Sequence, residues 1–365
     1  MFRFHVVQAE FGDCLLLEYG SGGKSRYTLI DGGPPTNFAT NLQPVLRGIA
    51  KQKLPLDLVV LSHVDNDHIC GLVDYFAELQ TEPGDLPIPK ELWHNSWGKT
   101  IDPHNEVGPR IMALMTQSRQ AAMPYATNAV LGISEGNALR TKATLLNVPI
   151  NHSFAKHDLI TVADAGAPVT LGNLKLQIVG PTQKNLDRLR KDWLAWIEKH
   201  EDEVGKDDVQ VMANSDRSVP NLSSIAIVAE AHGKTILLTG DGRSDHLLDG
   251  LEEGGRLDGD GKFHVDILKL AHHGSERDVT KEFFERVTAD TYVASANGRD
   301  GNPDLPTLSW LAEAAKEGGR DITIVVTNET PSVKEFRKKF SPAKYPYELE
   351  LMPKGDKELV LTLAE

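Results

Sequence analysis

The stretch that decides the fold is His63-Val64-Asp65-Asn66-Asp67-His68. It brings four potential metal ligands within six residues, directly after the apolar segment Leu58–Leu61. That segment indicates a buried strand, and strand ends open onto loops where side chains can converge without disturbing the core. A mixture of imidazole and carboxylate suits zinc, iron or manganese. The stretch is therefore a candidate metal site at the end of a strand.

Two later segments have the same arrangement. Ile236–Thr239 is an apolar strand candidate that leads to Asp241 between two glycines, and Asp266–Leu270 leads to the pair His272 and His273. Chance poorly explains three strands that each end in residues of metal-ligand type. The sequence therefore predicts one metal centre where the three strand ends meet.

The order of the remaining patterns predicts an α/β protein with two mixed sheets flanked by helices. We expect one domain over residues 1–365, with an insertion at about 81–165 that covers the site. The predicted strands are Phe2–Val7, Cys14–Tyr19, Tyr27–Ile30, Leu58–Leu61, Val169–Gly180, Ser224–Glu230, Lys234–Thr239, Val265–Leu270, Tyr292–Ser295 and Ile322–Thr327. The predicted helices are Phe38–Lys51, Gly71–Gln80, Ile111–Ala122, Asn185–Glu203, Thr280–Val287 and Thr307–Lys316.

Composition limits the partners of the chain. The net charge of −13 argues against a surface that wraps duplex nucleic acid, although bound cations could still supply local positive charge to a nuclease. Neither a membrane-spanning apolar run nor a secretory signal is visible in the sequence. The two cysteines, Cys14 and Cys70, are expected to be reduced buried thiols of a cytoplasmic protein.

The order of the motifs resembles the metallo-β-lactamase superfamily, and more closely the hydrolase domain of ComEC-type DNA-uptake proteins. The resemblance covers most of the chain and implies an αββα sandwich. The segments that carry it are Gln8–Leu17, Leu29–Gly33, Ser62–Gly71, Leu171–Leu176, Asn221–Ile225, Leu237–Asp241 and Leu268–Ser275.

The resemblance also implies one or two divalent metal ions, zinc or manganese. One site would use Asp67, His68, a bridging Asp241 and either His272 or His273. The other would use His63, Asp65 and Asp241. Asp65 stands where the superfamily has its second histidine, and this oxygen-rich set shifts the preference toward manganese or magnesium.

Several other residues are expected to support the site. The usual third histidine has no clear counterpart between residues 170 and 235, where this group has Asn221 and Ser224 instead. Asp31 is expected to orient a ligating histidine or a loop. His94 and the neighbouring Trp93 are candidate substrate contacts. Lys269 is expected to be a solvated or core-edge residue.

The implied reaction is hydrolysis by a metal-activated water, with proton donation from whichever of His272 and His273 does not ligate. The first hypothesis is cleavage of a phosphodiester bond, in a small molecule or in nucleic acid. A second is hydrolysis of a lactone, thioester or β-lactam, and a third is a regulatory module with a vestigial metal site. We expect no membrane association, and protein partners stay open.

Overall fold

The computed structural model describes residues 1–96, 100, 124–156, 159–200 and 223–365, without the side chains of residues 124–133 and 192–200. The helix predicted at Ile111–Ala122 and the candidate residue Asn221 lie outside these ranges. In the described part, two mixed β-sheets pack face to face between helices, as the sequence predicts.

The first sheet has six strands in the order β14-β1-β2-β3-β4-β5 within the described residues. Strands β14, β1, β2 and β3 are antiparallel neighbours, whereas β3, β4 and β5 run parallel to one another. The strands are β1 (Phe2–Val7), β2 (Leu15–Ser21), β3 (Lys24–Ile30), β4 (Leu56–Leu61), β5 (Leu92–His94) and β14 (Glu358–Ala364). The strand β14, which the patterns did not predict, pairs antiparallel with β1.

The second sheet has eight strands in the order β13-β12-β11-β10-β9-β8-β7-β6 within the same residues. Strands β6 to β9 are antiparallel neighbours, whereas β9 to β13 are parallel. The strands are β6 (Val169–Leu171), β7 (Leu174–Gly180), β8 (Ala226–Ala231), β9 (Lys234–Leu238), β10 (Phe263–Lys269), β11 (Val287–Ala294), β12 (Ile322–Val326) and β13 (Tyr347–Leu351). The single predicted strand over Val169–Gly180 is therefore a hairpin, because Gly172 has a left-handed backbone (φ 63°).

Helices cover the outer faces of both sheets. Those packed on the first sheet are α1 (Gln43–Lys51), which follows a π-helical turn at Phe38–Leu42, α2 (Asn66–Thr81) and α3 (Pro124–Leu145). The others are α4 (Val162–Ala165), α5 (Gln183–His200), α6 (Ser244–Glu253), α7 (Lys281–Arg286), α8 (Leu305–Glu317) and α9 (Pro331–Lys339).

The buried residues form three apolar clusters that correspond to the three interfaces of this sandwich. One lies between the two sheets and includes Phe4, Leu17 and Ile236. The second lies between the first sheet and helices α1 to α3, and the third lies between the second sheet and helices α6 to α9. Burial of apolar surface at these interfaces is the dominant favourable contribution to folding.

Helix α2 begins five residues earlier than predicted, at Asn66, so Asp67 and His68 lie in its first turn. Glycine contacts bring this turn close to the first sheet. A Cβ on Gly12 would lie 2.0 Å from the Asp67 carbonyl oxygen, and a Cβ on Gly71 would lie 1.9 Å from the Gly32 carbonyl oxygen. Larger side chains at either glycine would push the helix start away from the sheet.

The region predicted as an insertion contributes directly to the sandwich. Leu92–His94 is the edge strand β5 of the first sheet, and α3 packs against α2. Both cysteines are free and buried. Among the helices of the described ranges, none combines the length and the apolar character that crossing a membrane requires.

Candidate metal centre

The predicted ligands meet where the ends of the two sheets face each other. His63 follows β4 of the first sheet, and Asp241 follows β9 of the second sheet. His272 and His273 follow β10, the parallel neighbour of β9, in a tight turn over Ala271–Gly274. The carboxyl ends of these strands therefore bring together residues that are more than two hundred positions apart in the sequence.

Three residues at this point have a left-handed backbone. Asp31 has φ 58°, His272 has φ 47° and His273 has φ 56°. A positive φ is uncommon for residues other than glycine and persists only where the surroundings enforce it. The turns that present these side chains are therefore held in a conformation that the local sequence does not favour.

The carboxylate of Asp241 is the centre of the cluster. Its oxygens lie 3.3 Å from Nε2 of His68 and 3.7 Å from Nε2 of each of His63, His272 and His273. Its side chain is only 2% exposed, so the four imidazoles surround a carboxylate that is almost removed from solvent. This geometry suits a group shared between ligand sets.

Two further carboxylates flank Asp241. Oδ2 of Asp67 lies 3.3 Å from Nε2 of His273 and 3.9 Å from Nε2 of His68. Oδ2 of Asp65 lies 3.8 Å from Nε2 of His63. About a quarter of each of these two side chains is exposed, so they form the solvent side of the cluster.

The other ring nitrogens of His63 and His68 are held from behind by one carboxylate. Nδ1 of His68 lies 2.8 Å from Oδ2 of Asp31, to which the Ser62 hydroxyl also donates over 2.7 Å. Because the Ser62 proton points to Asp31, its oxygen can accept from Nδ1 of His63, 3.0 Å away. Both imidazoles are thereby set with a proton on Nδ1 and a lone pair on Nε2.

The remaining two histidines have their own partners. Nδ1 of His273 donates to the carbonyl oxygen of Ser295 over 3.0 Å, and Nδ1 of His272 lies 2.5 Å from Oδ2 of Asp278. His273 is buried, whereas 27% of the His272 side chain is exposed. The geometry therefore places His273 inside the cluster, with Asp67 and His68, and His272 at its rim.

Ser224 also occupies a supporting position. Its hydroxyl lies 3.3 Å from Nδ1 of His63 and accepts from the backbone N–H of Asp241 over 3.2 Å. It therefore joins the end of β4 to the end of β9.

The residues fit a divalent cation. Nε2 of His63, His68 and His273 and Oδ1 of Asp241 are all buried without a hydrogen-bond partner among the described residues. Buried polar atoms are normally paired, and imidazoles with a supported Nδ1 and an open Nε2 are typical of metal ligands. Among the described residues, four triads have ligand atoms within 4.8 Å of one another, and two of them consist only of predicted ligands, namely His63, His68 and Asp241, and Asp67, His68 and His273.

The electrostatics of the cluster point the same way. Burial, together with the charges of Asp67 and Asp241, raises the pKa of Asp65 to about 7. Burial and the neighbouring His68 lower the pKa of His63 to about 3. Carboxylates that repel one another in a buried space are stabilised by a bound cation, which supplies the largest local positive charge.

Trp93 and His94 do not occupy the positions predicted for substrate contacts. Trp93 is fully buried between the sheets and packs on Phe154 with ring centroids 4.9 Å apart. His94 is 1% exposed and lies close to Gly136 of α3, on the opposite face of the first sheet. Trp93 is therefore a core residue, and His94 is a buried polar residue whose two ring nitrogens have no hydrogen-bond partner among the described residues.

Lys269 also differs from the prediction. It is fully buried, and its Nζ lies 2.7 Å from Oδ2 of Asp13. Among the contacts that sequence reasoning missed are those of Ser62, Asp278 and Ser295. A serine directly before His63 was a visible signal, whereas Asp278 and Ser295 lie outside the quoted ligand motifs.

Part of the chain matches a known protein family. Residues 7–128 match the family model described as the metallo-beta-lactamase superfamily. This range includes His63, Asp65, Asp67 and His68 but not the ligands of the second sheet. No curated protein has a matching sequence.

Similar solved structures include the metallo-beta-lactamase fold protein YhfI from Bacillus subtilis, with 12% identity, coverage of 99% of both chains and a TM-score of 0.42. A putative metal-dependent hydrolase from Parabacteroides distasonis has 12% identity, covers 88% of this chain and 93% of its own, and has a TM-score of 0.39. A diphosphatase from the PhnP family has 12% identity, coverage of 99% and 98%, and a TM-score of 0.37. The family model therefore matches residues 7–128 of the 365, and the two mixed sheets flanked by helices have the architecture of the metallo-β-lactamase fold.

Proposed function

We propose that this protein is a metal-dependent hydrolase that cleaves phosphodiester bonds. The observation that carries the metal site is the convergence of three buried Nε2 atoms, of His63, His68 and His273, on the carboxylate of Asp241. Each of these imidazoles has a partner at Nδ1, so each presents a lone pair to the same small space.

One or two divalent ions would be held by His63, Asp65 and Asp241 on one side and by Asp67, His68, Asp241 and His273 on the other. We assign ligation to His273 rather than to His272, because Nε2 of His273 is buried and lies 3.3 Å from Asp67. A divalent cation bound there supplies Lewis acidity for attack by water on a phosphorus or carbonyl centre.

His272 is the proposed proton donor to the leaving group. It lies at the rim, with Nδ1 bound to the buried Asp278 and Nε2 on the side of Asp241. The Asp278 carboxylate orients the ring, and Asp241 and Asp278 outweigh burial to raise the pKa of His272. A protonated imidazole next to the reacting centre can neutralise the charge that develops on the leaving oxygen.

We infer an anionic substrate from the metal that the ligand set would hold and from one arginine in a nearby loop. Asp65 and Asp67 make the site rich in oxygen ligands, which supports manganese over zinc. Although the chain has a net charge of −13, Arg299 lies over the ring of Phe11 at 4.1 Å in the loops beside Gly12. Arg299 makes no ion pair with any residue in the described ranges, so its guanidinium can bind a phosphate.

Two alternatives from the sequence are outcomes of the test. Hydrolysis of a lactone, thioester or β-lactam would leave the metal site as proposed and change only the substrate. A regulatory module with a vestigial site is disfavoured by the retention of a complete ligand set. The likeness to ComEC-type hydrolase domains and the cytoplasmic location stay predictions from the sequence.

The test combines metal analysis with a substrate panel. Protein expressed with supplemented metal is examined for bound ions, then assayed with manganese or zinc on bis-p-nitrophenyl phosphate, single-stranded DNA and a thioester. We expect phosphodiester cleavage that manganese stimulates more than zinc, and no cleavage by a matched Asp241→Ala variant. Thioester or lactone turnover without phosphodiesterase activity under either metal would overturn the substrate, and less than about 0.2 metal per chain would overturn the site.

A further inference from the structure

A buried ion pair crosses from one sheet to the other directly behind His273. Lys269 ends β10 of the second sheet, and Asp13 lies between β1 and β2 of the first sheet. Nζ of Lys269 lies 2.7 Å from Oδ2 of Asp13, and each side chain is 1% exposed. Lys269 is the only lysine or arginine that is fully buried among the described residues.

The second oxygen of Asp13 faces the candidate site. Oδ1 lies 3.3 Å from Nδ1 of His273, the same nitrogen that donates to the Ser295 carbonyl oxygen. Nε2 of His273 lies on the opposite side of the ring, 3.3 Å from Asp67. Lys269, Asp13 and the His273 ring therefore form a spatial row of contacts. Nε2 of His273, at the end of this row, faces the proposed metal position.

The backbone around Asp13 is fixed to the same elements. The Asp13 N–H donates to the carbonyl oxygen of Asp67 over 3.2 Å, and the Ser295 hydroxyl donates to the carbonyl oxygen of Gly12 over 2.6 Å. The backbone around Asp13 is thus bound both to Asp67, which lies beside Nε2 of His273, and to Ser295, which accepts from Nδ1 of His273. Its carboxylate has little freedom to move independently of the site.

Core packing alone does not require this pair. Removing two charges from water costs several kcal/mol per ion, and a buried pair can often be replaced by apolar side chains of similar volume without loss of stability. The ligands His63 and His68 each have an equivalent support at Nδ1, in Ser62 and Asp31. His273 has the Ser295 carbonyl oxygen at its Nδ1, and the Asp13 carboxylate is a second, charged group beside the same nitrogen, so a role of the ion pair at His273 would account for its burial.

We propose that Lys269 and Asp13 are positioning residues for His273, and that they direct its Nε2 toward the metal. Lys269 fixes the Asp13 carboxylate, and Asp13 fixes the orientation of the imidazole. This inference rests on the proposed metal site and is independent of the substrate. It predicts that the pair contributes to metal affinity separately from its contribution to folding.

The test is a double-mutant cycle with two readouts. Lys269→Met alone leaves the Asp13 carboxylate buried and unpaired, so it should destabilise the fold. Asp13→Leu alone leaves the Lys269 ammonium buried and unpaired and should also destabilise the fold. In the double variant Asp13→Leu/Lys269→Met, we expect the free energy of unfolding to recover. The dissociation constant for Mn²⁺, measured by competition with a chelator, should nevertheless rise about 10- to 100-fold.

The control is the pair of Arg26 and Asp57, of which only the carboxylate is buried: the Asp57 side chain is 1% exposed and lies 2.6 Å from Nε of Arg26, whose side chain is 34% exposed. Asp57 lies at the start of β4, whereas His63 follows the end of that strand. The variant Arg26→Met/Asp57→Leu should change stability and leave Mn²⁺ affinity within about twofold of wild type.

Each outcome decides between the hypotheses. Wild-type affinity in the Asp13→Leu/Lys269→Met variant would show that the pair is only structural and would overturn this inference, while the proposed function stands. A wild-type protein that binds Mn²⁺ but cleaves no phosphodiester would overturn the substrate alone. A wild-type protein that binds no metal would overturn both proposals.

A conservative variant covers the case in which the double variant does not fold. Asp13→Asn keeps the volume of the side chain and removes its charge, so the fixed contact with Lys269 is weakened. We expect its dissociation constant for Mn²⁺ to rise about tenfold, and an unchanged constant in a folded Asp13→Asn protein would overturn the proposal.

Discussion

Oδ2 of Asp31 lies 2.8 Å from Nδ1 of His68 and accepts at the same time from the hydroxyl of Ser62. One carboxylate thereby sets the proton positions of two imidazoles. Because the Ser62 hydroxyl donates to Asp31, its oxygen is left to accept from Nδ1 of His63. Asp31 is 1% exposed and has a left-handed backbone, so the surrounding fold keeps it in place. It supports two proposed ligands from the side opposite their Nε2 atoms.

The first prediction follows from this contact. In Asp31→Asn, an amide N–H₂ must replace one of the two oxygens, so either His68 or the Ser62 N–H faces a donor. If His68 does, its proton moves to Nε2 and the lone pair is lost to the metal. We expect the dissociation constant for Mn²⁺ to rise about 10- to 100-fold by chelator competition. The control is Asp57→Asn, which changes a buried carboxylate away from the site and should leave the dissociation constant for Mn²⁺ unchanged. If both variants bound Mn²⁺ as tightly as wild type, the role of Asp31 would be refuted.

The second prediction separates two carboxylates of the site. Asp241 lies within 3.7 Å of four histidines, whereas Asp65 approaches only His63, at 3.8 Å. Asp241→Ala should lower turnover by about three orders of magnitude or more and reduce the metal content, because it removes a ligand from both proposed ligand sets. Asp65→His should keep metal and fold, with its preference moved toward zinc and its activity reduced or redirected.

Metal stoichiometry and steady-state rates under zinc and manganese measure both effects, with circular dichroism to verify folding. An Asp241→Ala variant with two bound metals and near-normal activity would contradict the shared role of Asp241.

The third prediction concerns proton donation by His272. If His272 protonates the leaving oxygen, His272→Gln should slow cleavage of single-stranded DNA by about 10²- to 10⁴-fold. Cleavage of bis-p-nitrophenyl phosphate should change much less, because p-nitrophenolate leaves without protonation. Asp278→Asn, which alters the partner 2.5 Å from Nδ1, should show the same substrate dependence more weakly. Equal losses on both substrates would instead assign His272 to metal binding.

The fourth prediction uses two histidines whose pKa values shift in opposite directions. Burial, aided by the charge of Arg140, lowers the pKa of His94 to about 3, from 6.5. His94 therefore favours the folded state fully above pH 6.5, and this stability is lost as the pH falls from 6.5 toward 3. In His94→Asn, the free energy of unfolding should fall less steeply over that window, by about 1.4 kcal/mol per pH unit.

His5 is the matched comparison. Burial lowers its pKa, but hydrogen bonds to Glu18 and Glu358 outweigh this and raise it above 6.5. Its contribution is present below pH 6.5 and is lost as the pH rises through the folded value, so His5→Asn should lose stability on the acid side. Urea denaturation between pH 4 and 8 measures both variants. A His94→Asn protein with the pH slope of wild type would contradict the buried neutral state of His94.

The metal motifs and most central strands were predictable because each is encoded by a short continuous stretch of sequence. His63 to His68, Asp241 and the pair His272 and His273 all follow apolar runs, and the carboxyl ends of neighbouring parallel strands necessarily meet. The alternation of apolar and polar residues along a strand did not predict which strands are buried on both faces. Lys269 and Trp93 occupy polar or amphipathic positions in strands that are enclosed on both sides, so the patterns assigned them to the surface or the substrate.

The partners of the two late histidines were also beyond prediction. Asp278, only six residues after His272, reaches it through an irregular turn, and Asp13 reaches His273 from the other sheet, so no spacing rule connects either pair. The choice between His272 and His273 depends on a left-handed turn, which the Ala271–Gly274 sequence does not specify. Three-dimensional packing, rather than local pattern, decides these contacts.

The pairing of β14 with β1, in which Phe2 faces Ala364, has a consequence for biosynthesis. While the ribosome is still translating, β1 has only β2 as a neighbour, and the backbone groups along its other side have no strand to bind. Such a row of unpaired groups, beside apolar residues such as Phe4, can pair with other nascent chains. Until Glu358–Ala364 has been synthesised, β1 therefore remains an open edge at which we expect chaperone protection of the growing chain to limit aggregation.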